Sequence, residues 1–177
     1  EFMDEHKMYP PELIFGSLLT STNYDDNEER EWGGRNGYGA KLANIFSKKF
    51  IVETACHINR KLFKQEFTNN MKNKTTPVIT PYKGKPFTKI TWLPDYERFG
   101  MTNLNNEVKS LIVKRVYDIA GITDKDTKIY LNDEFININS FNSYVDLYID
   151  SEDTKIIIEE NSGWQIVATS SQDDIFE

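Results

Sequence analysis

The sequence predicts an α+β fold: a mixed, largely antiparallel sheet with its helices on one face. Three observations predict it. The order of patterns along the chain is helix, loop, helix, several strands, helix, strands. Strand-like runs follow one another between residues 50 and 93, with Pro77, Pro81, Gly84 and Pro86 as punctuation. Hydrophobic residues make up 38% and aromatics 13% of 177 residues, enough to build a core.

Each element has a local reason. Pro11 suits the first turn of a helix, where its missing N–H costs nothing. Leu13, Ile14 and Leu18 repeat at helical spacing, so residues 11–19 are expected to form a short buried helix. Residues 20–32 are polar, with an acidic run from Asp25 to Glu31, and read as a loop. A second helix is expected over 39–47, with Leu42, Ile45 and Phe46 as its apolar face. Strands are expected at 50–55, 61–67 and 87–93. The stripe Leu104, Val108, Leu111, Ile112, Arg115 and Ile119 predicts a helix over 104–120, with Gly121 as its C′ stop. A hairpin is expected around Asn132-Asp133, joining 128–131 to 135–138. A short helix at 141–149 and strands at 155–159 and 164–169 complete the list. The acidic break at 150–153 marks a candidate domain boundary, and no internal repeat is found.

Composition excludes some classes of function. The net charge is −7, from 28 acidic and 21 basic residues, which argues against a surface built to grip nucleic acid. The single cysteine, Cys56, cannot form an internal disulfide. It reads as a strand residue, and its neighbour His57 would point to the opposite face. His6 and His57 are too few for a metal site. No apolar stretch approaches the length of a membrane span. Trp92 and Trp164 are expected to be core anchors. Glu1-Phe2 ahead of Met3 reads as a cloning remnant, and the chain as an excised piece of a larger protein.

One segment asks for a chemical explanation. In "WGGRNGYGAKLANIF", Trp32 to Phe46, the residues Gly33, Gly34, Gly37 and Gly39 crowd together and lead into a helix. The P-loop pattern fails, because Ala40 follows Gly39 and Lys41 comes one place late. The dinucleotide pattern fails as well, because Leu42 stands where its third glycine is needed. Small residues nevertheless let successive N–H groups turn inward as an anion nest ahead of a helix N-terminus. Lys41 and Arg35 supply charge, Arg35 with fork geometry. Read from the residues alone, the glycines could equally form a plain tight loop. Ser21, Thr22 and Asn23, after the first helix, are short donors and acceptors suited to a ribose or a phosphate; they also read as an ordinary polar helix end.

Together the two clusters carry a resemblance. "PELIFGSLLTSTNYDD" followed by "GGRNGYGAKLANIFS" resembles the ATPase region of eukaryotic-type type IIA DNA topoisomerases. These belong to the GHKL (Bergerat) group of ATPases. "FIVETA", "FKQEFTNNM", "PVIT", "FTKITWLPD", "RFGM", "VYDIAG" and "SYVDLYI" fall in the family's order, and "GWQIVATSSQDDIF" is similar to the start of its transducer domain.

The resemblance implies a division and a site. Residues 3–138 would be the C-terminal part of a GHKL ATPase domain, an incomplete sandwich, and 139–177 the start of the transducer domain. The glycine segment would be the ATP lid. Gly34, Arg35, Asn36, Gly37, Tyr38, Gly39, Ala40 and Lys41 would line the phosphates, largely through backbone N–H groups. Ser21, Thr22 and Asn23 would touch ribose and phosphate. Thr22 departs from the family's second serine but keeps a hydroxyl, and Trp32 departs from a small polar residue. The cofactors implied are ATP and Mg2+. The family's general base, its magnesium ligand and its adenine-reading motif precede the matching segment, so no catalytic residue and no metal ligand is expected here. The family's transducer lysine, which reaches the γ-phosphate, is likewise absent from this sequence.

The parent would be a nuclear homodimer that couples ATP binding and hydrolysis to gate dimerisation and DNA passage. It would contact DNA through other domains and would not engage membranes. This piece alone is expected to be inactive, to expose an apolar face and to self-associate. The alternatives are a MutL-like or chaperone-like ATPase of the same group, or an interaction module without an ATP role.

Overall fold

The computed structural model describes residues 2–25, 27, 34–149, 155–160 and 164–169. Trp32, Gly33, most of the acidic run and the 150–153 break lie outside the described residues. The chain divides into two compact units, residues 1–103 and 104–177.

The first unit opens with α1 (Pro10–Gly16) and α2 (Gly39–Ile45). Five strands follow: β1 (Ser47–Cys56), β2 (Lys61–Thr68), β3 (Asn73–Lys74), β4 (Val78–Pro81) and β5 (Phe87–Pro94). They form an antiparallel sheet in the order β3-β2-β1-β5, and β4 pairs with β2. The three long strands fall where the sequence predicts them. β3 and β4 were not anticipated, because the prolines around them read as a linker. Pro81 is tolerated at the end of β4, where a missing N–H breaks no central ladder.

Register sets the two faces. Phe50 lies opposite Phe67 and Trp92, and Val52 opposite Gln65 and Ile90, so all six point to one side. Phe50, Val52, Phe63 and Phe67 are the buried core, with Tyr9, Phe15, Ala43, Met71 and Ile79 packed on it. The other face is charged. Lys49 pairs with Glu66 at 2.9 Å, and Lys64 with Glu53 at 3.3 Å. Such surface pairs fix little stability.

α1 departs from expectation. It ends at Gly16, and Ile14, Leu18 and Leu19 are exposed. The helix instead buries Glu12, whose carboxylate takes Lys74 Nζ at 2.9 Å, and leans Phe15 on Phe50. Close approach sets this orientation, for a Cβ on Gly16 would stand 2.9 Å from the Phe67 ring. Leu42 of α2, assigned to an apolar face, is also exposed, while its neighbour Lys41 is buried.

β5 ends the sheet, and all of its residues but Pro94 are exposed. Ile90 and Trp92 share the core's side of the sheet but remain 41% and 46% exposed. Trp92 is therefore not a core anchor. An apolar edge of this length is a template for pairing. We expect the isolated chain to sediment above monomer mass in a concentration-dependent way. Trp92→Lys should shift it towards monomer, and a wild-type chain that stays monomeric would refute the expectation.

Beyond β5, Asp95 is buried and gathers three partners. Lys48 Nζ lies at 2.9 Å, Asn70 Nδ2 donates at 2.9 Å, and Arg98 Nε lies at 3.7 Å. Asn69, Asn70 and Met71 all take positive φ, the left-handed turn that delivers the Asn70 amide. Lys48 first, then Asn70, hold the Asp95 carboxyl below the ordinary value of 3.8. A depressed folded pKa stabilises fully above the unfolded value and is lost as pH falls through the folded one. Stability of this unit should therefore decline below about pH 4. Asp95→Asn should flatten that decline, measured as melting temperature against pH.

The second unit begins with α3 (Asn106–Ile122), capped where the Asn105 side chain accepts the Val108 N–H at 2.9 Å. The hairpin β6 (Tyr130–Leu131) and β7 (Glu134–Phe135) turns through Asn132 and Asp133, both at positive φ, as a type I′ turn requires. α4 (Phe141–Val145) is shorter than expected. β8 (Lys155–Glu160) and β9 (Trp164–Thr169) pair antiparallel, and Trp164 is 67% exposed rather than a core anchor.

Gly121 does not stop α3. It lies inside the helix, buried, and a Cβ there would stand 2.5 Å from Cγ of Tyr144. The glycine is needed for close packing against α4. Helix propensity alone would favour Gly121→Ala by about 1 kcal/mol. The clash should reverse the sign and destabilise this unit by about 1–3 kcal/mol. A variant that melts at or above wild type would show that Tyr144 moves aside freely.

Candidate nucleotide-binding site

The two polar clusters singled out in the sequence meet at one end of the first unit. In the glycine segment, Gly34 to Gly39 are exposed, and Ala40 is partly buried. Among the described glycines of this segment, Gly37 takes a positive φ of 64°, a backbone conformation that favours glycine. A Cβ on Gly37 would stand 3.4 Å from Lys41 Nζ and 3.7 Å from Cβ of Ser21. Gly34 and Gly39 have open space around them. The Asn23 side-chain amide donates to the Gly34 carbonyl at 2.7 Å, and the Asn23 N–H donates to Ser21 Oγ at 3.1 Å. Thr22 is exposed, and its hydroxyl lies 3.4 Å from the Asn23 side-chain oxygen. Tyr38 caps α2 with helical φ and ψ, and its carbonyl accepts the Leu42 N–H at 2.8 Å. α2 is tied to α1 by Asn44, whose amide donates to the Phe15 carbonyl at 3.1 Å.

Lys41 is the unusual member. It is 3% exposed, and its ammonium donates to the Gly37 carbonyl at 2.9 Å and to Thr20 Oγ1 at 2.7 Å. No ion pair to Lys41 is found among the described residues. Burial pushes the ammonium below its usual pKa. A buried cation whose partners among the described residues are neutral oxygens makes a positive site beside the Thr20 and Ser21 segment, which suits an anion. Thr20 was missed in the sequence; the signal was a third hydroxyl directly before Ser21.

Other features do not compete. A cavity of about 470 Å³ lies between the start of α1 and the sheet, lined by Tyr9, Pro10, Cys56, Phe63 and Ile79 among others, and none of the expected site residues reaches it. Among the described residues, no group of three or more His, Cys, Asp or Glu gathers as a metal centre, and no helix is long and apolar enough to cross a membrane.

Sheet and helices together define a GHKL-type ATPase fold. The 43K ATPase domain of gyrase B from Thermus thermophilus superposes with a TM-score of 0.62 at 19% identity, over 89% of this chain and 40% of that one, a likeness of fold alone. The ATPase region of Saccharomyces cerevisiae topoisomerase II superposes with a TM-score of 0.88 at 45% identity, over 94% of this chain and 45% of that one. A probable DNA topoisomerase 2 of Dictyostelium discoideum is 52% identical over 176 residues, 97% of this chain and 12% of that protein. No protein-family model matches. The chain belongs to the eukaryotic DNA topoisomerase II family and corresponds to part of its ATPase region. It spans about 12% of the length of that curated relative. The mismatch-repair, chaperone and interaction-module alternatives are not favoured.

Proposed function

We propose that this chain forms the phosphate and ribose side of the ATP site in a type IIA DNA topoisomerase. The observation that carries the reading is the buried Lys41 ammonium, which donates to Gly37 and Thr20 without an ion-pair partner among the described residues. When bound, ATP supplies a triphosphate whose charge the site must balance. Lys41 holds a positive charge at the lid, and Arg35, near the lid's start, adds a second. Backbone N–H groups from Asn36 to Ala40 turn towards the phosphates, and Ser21, Thr22 and Asn23 offer hydroxyl and amide groups to the ribose and phosphate oxygens. Asn23 also fixes the lid by its bond to Gly34.

In this reading, residues 3–138 belong to the ATPase domain and 139–177 to the start of the transducer domain. The magnesium ligand, the general base and the adenine contacts come from other parts of the parent. The parent is a nuclear homodimer, in which ATP binding closes the gate and hydrolysis resets it while DNA is passed through other domains. Positioning and electrostatics supply most of the catalysis. The chain by itself hydrolyses no ATP.

Hydrogen exchange of the complete ATPase region, with and without Mg-ATP, tests the assignment. Amides from Arg35 to Lys41 should become protected on adding nucleotide. Unchanged exchange across that segment would return the glycines to a plain turn.

A further inference from the structure

The lid's glycines leave one problem open, which is what holds the head of Lys41. A buried ammonium needs hydrogen-bond partners. One partner, the Gly37 carbonyl, lies four residues back in the same glycine segment. The other is Thr20 Oγ1 at 2.7 Å, from the separate segment after α1. The Thr20 hydroxyl lies 3.4 Å from the Ser17 carbonyl, to which it gives its own proton, leaving a lone pair for Lys41.

We propose that Thr20 is a positioning residue: its hydroxyl holds the Lys41 ammonium at the lid before an anion arrives. The inference rests on the reading of the lid as a phosphate site. The chemistry of the partner matters. A carboxylate in this position would orient Lys41 but cancel its charge. A hydroxyl orients it and leaves the charge for the ligand. An ammonium has three donors; among the described residues Thr20 and Gly37 occupy two, and the third serves a phosphate oxygen. Thr20 also joins the Ser21-Thr22-Asn23 segment to α2, which couples the hydroxyl cluster to the lid at a fixed spacing.

The test uses Thr20→Val, which keeps the shape and removes the acceptor, and Thr20→Ser, which restores it, both in the complete ATPase region. Two readouts separate positioning from folding. One is the exchange-protected ammonium resonance of Lys41 by 15N NMR without nucleotide. The other is the Kd for a non-hydrolysable ATP analogue. Thr20→Val should lose the protected resonance and weaken binding about tenfold in a protein that still melts cooperatively, and Thr20→Ser should recover both. A Thr20→Val protein that keeps the resonance and the affinity of wild type overturns the proposal. So does a Thr20→Ser protein that fails to recover either. Lys41→Met tells the two readings apart. If it weakens binding while Thr20→Val does not, positioning fails and the phosphate site stands. If neither variant alters binding but Thr20→Val still loses the resonance, Thr20 holds Lys41 and the phosphate reading fails.

Discussion

Lys41→Met in the complete ATPase region should lower nucleotide affinity about 100-fold and leave the fold as stable as wild type, or more so. The two halves of this expectation come from the same burial. Lys41 is 3% exposed, and its ammonium is held by two neutral oxygens. Charge-assisted hydrogen bonds to a desolvated phosphate contribute about 1.5–3 kcal/mol net, and loss at the upper end is about 100-fold. For the apo fold the balance runs the other way. Burial depresses the Lys41 pKa, which means that the folded state is penalised for holding the proton. That penalty is present at neutral pH and is relieved only as pH rises through the lowered value. Methionine fills the same volume without charge, so the penalty disappears with it. Two atoms, Thr20 Oγ1 and the Gly37 carbonyl, lose a donor, and their position beside the exposed lid keeps that cost small. Calorimetric binding and melting of the same samples check both halves. Wild-type affinity in Lys41→Met would remove Lys41 from the site.

Phe67→Ala should be the most damaging core substitution, at about 3–5 kcal/mol against the 5–15 kcal/mol typical of a domain. Phe67 is 1% exposed, sits opposite Phe50 in the register and receives the close approach of Gly16 from α1. Truncation leaves a cavity under α1, the helix that precedes the Thr20-Ser21 segment. The first unit should lose stability, and the hydroxyl cluster should lose its fixed distance to the lid. Urea unfolding monitored within residues 1–103 gives the cost. Trp92→Ala is the control, because a larger ring that is 46% exposed should cost less than half as much. A Phe67→Ala cost below about 1 kcal/mol would mean that the sheet face is not the organising core.

Several features were legible without a structure because each depends on short-range geometry. The alternation in 61–67 marks β2, Asn132-Asp133 suits the left-handed residues of a type I′ turn, and the long apolar repeat marks α3. The glycine segment and the Ser21-Thr22-Asn23 cluster carry a resemblance that extends over most of the chain, and the family it names is the one to which the relatives belong. Burial was less legible. Leucines at helical spacing read as the inner face of α1, yet Glu12 is buried and Ile14 is exposed. Trp92 read as an anchor, yet it lies on an edge strand that is not fully covered. Gly121 read as a stop, yet it is a contact point for Tyr144.

The sequence by itself determined where the long strands, the hairpin turn and the glycine segment occur, because dihedral preferences, hydrophobic period and glycine placement act within a few residues. Only the tertiary structure decided which faces are covered and which side chain holds Lys41. Those depend on segments 21 residues apart in the chain meeting beside α2, and no local rule encodes that contact.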